Sequence, residues 1–182
     1  MTGWLWIALT VYWVIASRAT KRSVHVERSF GRLVHVVVFA LAFTLIYSDR
    51  LRIGWLGARA YPELWPIQLA GFALIASGML WAVWARGHLG RNWSGEVTLK
   101  EDHELVQSGP YRFTRHPIYT GFLGALLGTA VVSGEARAFI AVTVMFLLVN
   151  QKSTLEEKVL VEHFGAKYLA YRKATPKLIP GI

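Results

Sequence analysis

Apolar residues are concentrated in five stretches of the chain, at residues 4–17, 33–47, 65–85, 118–133 and 136–150. A helix needs roughly 20 residues to cross a bilayer, with a range of about 17 to 25, and only the third stretch reaches that length without its flanking residues. Within lipid the backbone must satisfy its own hydrogen bonds, so only helices or a closed barrel can span. Because no stretch alternates with the period of two that strands show, the pattern predicts helices.

The predicted fold is therefore all-α, an integral membrane helical bundle of five transmembrane helices that forms a single domain. Its parts are three transmembrane helices in residues 1–85, a cytoplasmic connection in 86–117, a transmembrane helical hairpin in 118–150 and cytoplasmic C-terminal helices in 151–182. Only Gly134 and Glu135 separate the fourth and fifth stretches, which indicates that the hairpin is tight. Gly124 and Gly128 share one face of the fourth stretch, and such spacing lets helix backbones approach closely. The simplest interpretation is that these glycines pack the hairpin.

The distribution of basic residues predicts how the chain is oriented. Of the 20 Lys and Arg, 16 fall in alternate connections and the C-terminal tail, and the other connections hold only four. Basic residues collect on the cytoplasmic side of membrane proteins. We therefore expect the N-terminus outside and the C-terminus in the cytoplasm. No basic residue precedes the first apolar stretch, so a cleaved signal peptide is not expected.

Composition narrows the class of protein further. Apolar residues make up 54% of the chain and charged residues 17%, against about a quarter in soluble domains. The net charge of +9 could suit nucleic acid, but the basic residues lie between apolar stretches, where anionic membrane lipids explain them better. We therefore expect no nucleic-acid partner. The chain has no Cys and its six His show no paired ligand spacing, so no metal site is predicted.

Residues 115–121 read Arg-His-Pro-Ile-Tyr-Thr-Gly, at the start of the fourth apolar stretch. Pro117 is tolerated in a first helical turn, and a helix N-terminus attracts anions. Arg115 and His116 at that position, with Tyr119 about one turn on, would make a pocket suited to a carboxylate. Equally, Arg115 could extend to lipid phosphate while His116 caps the helix, and the spacing alone does not decide between the two.

The tail after residue 150 is predicted to be helical, with an amphipathic helix that stops at Gly165 and a short second helix before Pro176. Glu156 and Glu157 fall just past the fifth apolar stretch. One of them could face inward and bind an ammonium or adenosine group. The alternative is that both form a solvated charge pair.

Together these motifs resemble the isoprenylcysteine carboxyl methyltransferase family. The resemblance rests on residues 115–121, then on Glu156-Glu157 one hairpin later, and then on Phe164-Gly165-x-x-Tyr168-x-x-Tyr171. It covers about residues 92–182. The family includes many bacterial and archaeal proteins of this size and is related more loosely to phospholipid N-methyltransferases. The resemblance thus implies a multi-pass enzyme of a bacterial or archaeal inner membrane.

The cofactor implied by the resemblance is S-adenosyl-L-methionine, bound between the membrane and the C-terminal helices. The stretches that match the family's cofactor site contain His103, Glu104, Leu105, Val106, Tyr111, His116, Pro117, Ile118 and Tyr119. Glu156 matches an acidic residue near the methionine end of the donor, and Glu157 is the alternative to it. Lys152 stands where the family often has an Arg attributed to the substrate side, and Lys lacks the two-pronged guanidinium. Arg115 and Arg172 could supply that group instead.

The implied reaction is carboxyl O-methylation of an isoprenylcysteine-like, lipophilic methyl acceptor dissolved in the bilayer. A carboxylate is already ionised at neutral pH and needs no general base. A lipid amine N-methyltransferase is the first alternative, and it would need a base such as Glu157 or His116. A non-catalytic membrane scaffold or carrier, which would need polar groups inside the spans, and a reductase sharing the fold are further alternatives. The acceptor and the oligomeric state stay open.

Overall fold

The computed structural model describes residues 2–18, 29–90, 93 and 104–181, and for residues 29–32 it describes the backbone alone. The regular structure of this part is helical, which confirms the all-α prediction there. The helices are α1 Gly3–Ser17, α2 Ser29–Tyr47, α3 Trp65–Leu89, α4 Pro117–Ser133, α5 Ala136–Phe164 and α6 Ala166–Ala174. Short 3-10 turns lie at Asp49–Leu51, Gly54–Gly57 and Gly109–Arg112. Each of the five predicted apolar stretches therefore lies in a helix.

Two helices, α3 and α5, are long and apolar enough to cross a membrane, and α1, α4 and the apolar part of α2 are shorter. Only 28% of the apolar window of α3 and of α5 is buried inside the protein. The core helix of a soluble protein would be mostly buried, whereas an extended exposed apolar surface suits contact with lipid. The count of five spanning helices stays a prediction.

Helix α5 runs for 29 residues and passes without interruption through the boundary at residue 150 that separated the predicted hairpin from the predicted tail helices. The sequence of α5 contains neither Gly nor Pro, so nothing in it breaks the helical hydrogen bonds. It ends at Gly165, which adopts a φ of 53°. Glu156 and Glu157 are therefore carried on the same rigid rod as the apolar part of the helix, about 30 Å from its start at a rise of 1.5 Å per residue.

The glycines of α4 pack against α3 rather than against the second helix of the hairpin, so our interpretation named the wrong partner. A Cβ on Gly121 would lie 2.5 Å from the carbonyl oxygen of Gly78, and one on Gly128 would lie 2.6 Å from that of Gly71. On Gly124 the nearest neighbour within 4 Å would be the Cα of Gly78 at 3.9 Å. The close face of α4 is thus the one that carries Gly121 and Gly128, where the two backbones touch.

At the opposite end of the bundle from Glu157, the tip of the α4–α5 hairpin is held by buried charges. Glu135 and Arg137 pair at 2.5 Å, and Arg52 reaches the same carboxylate at 2.9 Å. Arg137 also donates to the carbonyl of Ser48 at 2.5 Å and is 1% exposed. Arg137, which the orientation argument counted as a basic residue of an outer connection, is therefore a neutralised structural group.

Candidate functional site

The segment after α6 lies across the N-terminus of α4. The backbone N–H of Arg115 donates to the carbonyl of Pro176 at 2.9 Å, and that of His116 donates to Lys177 at 3.1 Å. The hydroxyl of Thr120 donates to the carbonyl of Leu178 at 2.5 Å. These bonds hold the start of α4 and the end of the described chain together, so α6 packs beside the two sequence motifs.

Five side chains from the two motifs form one polar cluster, which contains Arg115, His116, Tyr119, Glu156 and Glu157. Glu157 accepts from the Nε of Arg115 at 2.7 Å and lies 3.1 Å from the Nε2 of His116. Glu156 accepts from the hydroxyl of Tyr119 at 2.5 Å and lies 3.4 Å from the Nδ1 of His116. His116 therefore bridges both carboxylates, and both glutamates face inward. Glu156 and Glu157 are not a solvated charge pair.

The charges of the cluster shift the pKa values of its members. Burial alone would lower the pKa of His116, but the hydrogen bonds and charges of Glu156 and Glu157 raise it above the usual value. For Glu157, which lies beyond the apolar part of α5, burial would raise the pKa. Hydrogen bonds from His116 and Arg115 outweigh burial and lower the pKa to about 2. The two carboxylates therefore stabilise the protonated form of the imidazole against the effect of burial, and the Glu157 carboxylate is ionised at neutral pH.

The three cations predicted on the substrate side occupy different places. The Nη1 of Arg115 donates to the carbonyls of Arg172, at 3.0 Å, and Thr175, so its guanidinium ties α4 to the end of α6. Arg172 is exposed, and its backbone carbonyl accepts the first of these two hydrogen bonds. The Nζ of Lys152 lies 5.9 Å from the centre of the Tyr119 ring, and its charge helps to lower the pKa of Glu156. Lys152 is therefore the predicted cation beside the face of Tyr119.

The other predicted cofactor residues differ in burial and in local structure. Tyr111 and Pro117 are buried, and Ile118 follows directly in the first turn of α4. Glu104 is exposed, and Leu105 and Val106 are half-buried in irregular backbone. His103 lies outside the described residues. Their roles in holding S-adenosylmethionine stay predictions.

Two tyrosines of α6 were quoted in the motif without a role, and the structure brings both to the site. The hydroxyl of Tyr171 donates to the carbonyl of Tyr111 at 2.5 Å. Tyr168 is 1% exposed, and its hydroxyl has no hydrogen-bond partner among the described residues. Their spacing of three residues on a short helix was the only signal for them. A buried, unpaired hydroxyl beside two carboxylates fits a ligand that carries both positive charge and hydrogen-bond acceptors, as S-adenosylmethionine does.

An apolar cavity of about 740 Å³ lies among α1, α2, α4 and α5 and reaches the polar cluster. Its wall is mainly apolar and aromatic, and includes Trp6, Phe39, Phe43, Phe122 and Met145. Polar side chains with ionisable groups line it at Lys152, Tyr119 and His35, and also at Tyr47 near the N-terminus of α1. Tyr119 belongs both to the apolar cavity and to the polar cluster, because its side chain lines the cavity while its hydroxyl donates a hydrogen bond to Glu156.

The fold and the site together define a helical bundle in which an apolar cavity ends at a buried carboxylate–imidazole cluster. Comparison with known proteins identifies the family. The profile of the phospholipid methyltransferases matches residues 67–167, which is more than half of the chain. The chain belongs to the phospholipid methyltransferase family.

The proteins that are similar to this chain in sequence include isoprenylcysteine methyltransferases, as the motifs predicted. The protein-S-isoprenylcysteine O-methyltransferase of Schizosaccharomyces pombe is 41% identical over 98 residues, which are 50% of this chain and 40% of that protein. Methanethiol S-methyltransferase 1 of Bradyrhizobium diazoefficiens is 39% identical over 70 residues, 38% of this chain and 24% of that protein. The chain thus spans less than half the length of either relative.

A solved structure shows the same fold. It is a eukaryotic intramembrane Ras methyltransferase, an isoprenylcysteine carboxyl methyltransferase, with a TM-score of 0.59 and 22% identity. The match covers 86% of this chain and 55% of the other. The likeness therefore extends into the N-terminal half, where the motif resemblance did not reach.

Proposed function

We propose that this protein is an S-adenosylmethionine-dependent methyltransferase that esterifies the carboxylate of a lipophilic, isoprenylcysteine-like acceptor. The observation that carries the proposal is the position of Tyr119, which lines the apolar cavity and binds Glu156 of the polar cluster. An apolar acceptor and a polar donor would meet at that residue. Membership of a methyltransferase family and the names of the relatives support the same reaction class.

The cavity suits an amphiphile with one apolar tail. Gly3 and Trp13 of α1 both line it, and their ten-residue separation corresponds to about 15 Å along a helix. Aromatic side chains bound the region between these ends. An acceptor would place its tail along this wall and its ionised head beside Lys152, whose charge complements a carboxylate. The bilayer would supply such an acceptor along with other membrane lipids.

The polar cluster and its buried neighbours are the candidate donor site. Glu156, Glu157, His116 and Tyr119 would hold S-adenosylmethionine, together with the buried Tyr111 and Pro117. When bound, this donor supplies an electrophilic methyl group on a positively charged sulfur. Ionised carboxylates suit a cationic ligand of this kind. Holding two reactants in line can contribute roughly 7 to 11 kcal/mol to the lowering of a barrier.

The hydrogen bonding of His116 and the low pKa of Glu157 favour an acceptor that is already ionised. An amine acceptor must lose a proton to a base whose pKa lies near neutrality. Both ring nitrogens of His116 lie against carboxylates that raise its pKa, and the pKa of Glu157 is about 2. With its pKa at about 2, Glu157 is a poor base at pH 7, and both ring nitrogens of His116 are already paired with carboxylates. Carboxyl O-methylation, which moves no proton, therefore suits the site better than N-methylation of a lipid amine.

We also propose that the chain crosses the membrane five times, with the N-terminus outside and the C-terminus cytoplasmic. The cluster would then lie at the cytoplasmic face, where a water-soluble donor is available. The charge bias of the connections supports this orientation.

The proposal can be tested with purified protein in lipid nanodiscs and S-adenosylmethionine labelled in its methyl group. The acceptors are an N-acetylated prenylcysteine, phosphatidylethanolamine and methanethiol. We expect label in the prenylcysteine, released as methanol by mild base because it is an ester. Base-stable label in phosphatidylethanolamine would favour the N-methyltransferase alternative, and transfer to methanethiol alone would refute a lipophilic acceptor.

A matched pair of lysine variants tests the placement of the acceptor head. Lys152→Met should raise the KM for the prenylcysteine about tenfold, the change that loss of roughly 1.4 kcal/mol produces. The affinity for S-adenosylhomocysteine should change little. Lys158→Met, at an exposed position on the same helix, is the control. An unchanged KM in Lys152→Met would remove Lys152 from the acceptor site.

A further inference from the structure

Tyr168 occupies an unusual position in α6. It is 1% exposed, and its ring packs edge-on against that of Tyr171 at a centroid distance of 5.9 Å. Tyr171 satisfies its hydroxyl by donating to the carbonyl of Tyr111. The hydroxyl of Tyr168 is buried and finds no partner among the residues that the structure describes. Tyr168 and Tyr171 are thus both buried on the same helix, but of the two hydroxyls only that of Tyr171 has a hydrogen-bond partner among the described residues.

An unpaired buried hydroxyl needs an explanation, because nearly all buried polar side-chain atoms in proteins have a hydrogen-bond partner. The packing of Tyr168 does not require the hydroxyl, since a phenyl ring would fill the same space. The hydroxyl therefore weakens the ligand-free protein unless another molecule completes its bonding. The cost of an unmade bond is recovered when a ligand supplies the missing acceptor.

The surroundings of Tyr168 show which ligand could do so. Burial raises the pKa of its phenol above the usual value, and the negative charge of Glu157 raises it further. Arg115 and Glu156 are also within electrostatic range of the hydroxyl. Tyr168 is therefore a protonated donor on α6 whose buried hydroxyl lies within electrostatic range of the polar cluster.

We propose that Tyr168 is a donor-binding residue, whose hydroxyl donates a hydrogen bond to an oxygen of bound S-adenosylmethionine. This inference rests on the proposed function. It adds α6 to the donor site, which the other cluster residues build from α4 and α5 alone.

The first test compares the stability of the ligand-free protein in two variants, Tyr168→Phe and Tyr171→Phe. Removing an unpaired hydroxyl should leave the melting temperature of Tyr168→Phe unchanged or raised. Removing the hydroxyl of Tyr171 should lower it, because the buried carbonyl of Tyr111 loses its partner. A melting temperature lowered equally in both variants would show that Tyr168 is already hydrogen-bonded without ligand, which overturns the inference.

The second test measures S-adenosylhomocysteine binding to the same proteins by calorimetry. We expect Kd to be about tenfold weaker for Tyr168→Phe, and the rise in melting temperature that the ligand produces to be smaller. Tyr171→Phe should change Kd less. Wild-type affinity in Tyr168→Phe overturns this inference and leaves the proposed function intact. Failure of the folded wild-type protein to bind the ligand overturns both.

Discussion

Replacing Glu157 by Gln should expose how much the polar cluster contributes to the stability of the fold. The carboxylate of Glu157 receives Arg115 at 2.7 Å and contacts His116 at 3.1 Å, and its side chain is only 9% exposed. Glutamine has nearly the same shape but carries no charge. The variant therefore leaves the guanidinium and the imidazole without one of their counter-charges in a buried site.

The magnitude follows from the pKa of the carboxyl group. A fall from the usual 4.5 to about 2 corresponds to about 3 kcal/mol of stabilisation of the folded state, at roughly 1.36 kcal/mol per unit. Breaking a buried ion pair by removing one partner costs about 3 to 5 kcal/mol, which is consistent. Because the folded pKa is depressed, this contribution is present above pH 4.5 and is lost as the pH falls towards 2.

The assay is equilibrium unfolding of the detergent-solubilised protein by a denaturing detergent, followed by tryptophan fluorescence. The free energy of unfolding of Glu157→Gln should be about 3 kcal/mol lower than that of the wild type at pH 7. The part of the acid destabilisation that protonation of Glu157 causes between pH 4.5 and 2 should be missing in this variant. Glu162→Gln, exposed on the same helix, should remain within about 0.5 kcal/mol of the wild type.

A loss below about 1 kcal/mol, or an acid transition identical to that of the wild type, would contradict a stabilising role of the Glu157 carboxylate. Either result would mean that water screens the pair in the folded protein, so that the site is more open than its burial indicates.

Three further predictions concern other parts of the fold. Gly78→Ala should destabilise the protein by about 1 to 3 kcal/mol, because its Cβ would lie 2.5 Å from the backbone nitrogen of Ala125. Gly87→Ala, where the new Cβ would meet open space, should be neutral or stabilising in the same unfolding assay. The stabilisation provided by His116 should be present below pH 6.5 and lost as the pH rises through its raised folded pKa, and melting curves from pH 6 to 9 should show this slope in the wild type but not in His116→Gln. Glu135→Gln removes the counter-charge of a buried arginine and should cost about 3 kcal/mol in thermal or detergent unfolding, and a loss within error of zero would contradict that role.

Hydrophobic patterning along the sequence located the helices well. Each apolar stretch became part of a helix, Gly165 ended α5 as its residue type indicated, and α4 ended at the gap that Gly134 and Glu135 form. The positions of the helices depend on residues that are close together in the sequence, because a backbone in lipid has to form its hydrogen bonds within its own helix. The family resemblance was likewise readable, since its motifs are short and contiguous.

Contacts between distant segments could not be read in this way. The sequence left open which glutamate faces inward, and packing of α5 against the start of α4 turned both towards His116. Arg115 was a candidate for substrate binding, yet its Nη1 donates to the backbone carbonyls of Arg172, in the last turn of α6, and Thr175, which follows α6.

The same distinction applies to the glycines of α4. Their spacing predicted a close helix contact, but whether α3 or α5 fills it depends on how the helices are rotated about their axes. Local composition determines whether a segment is a helix in a membrane. Which helix faces meet, and therefore where the site forms, is determined only when all the helices pack together. Packing favours the arrangement in which buried charges are paired and close-packing backbones touch.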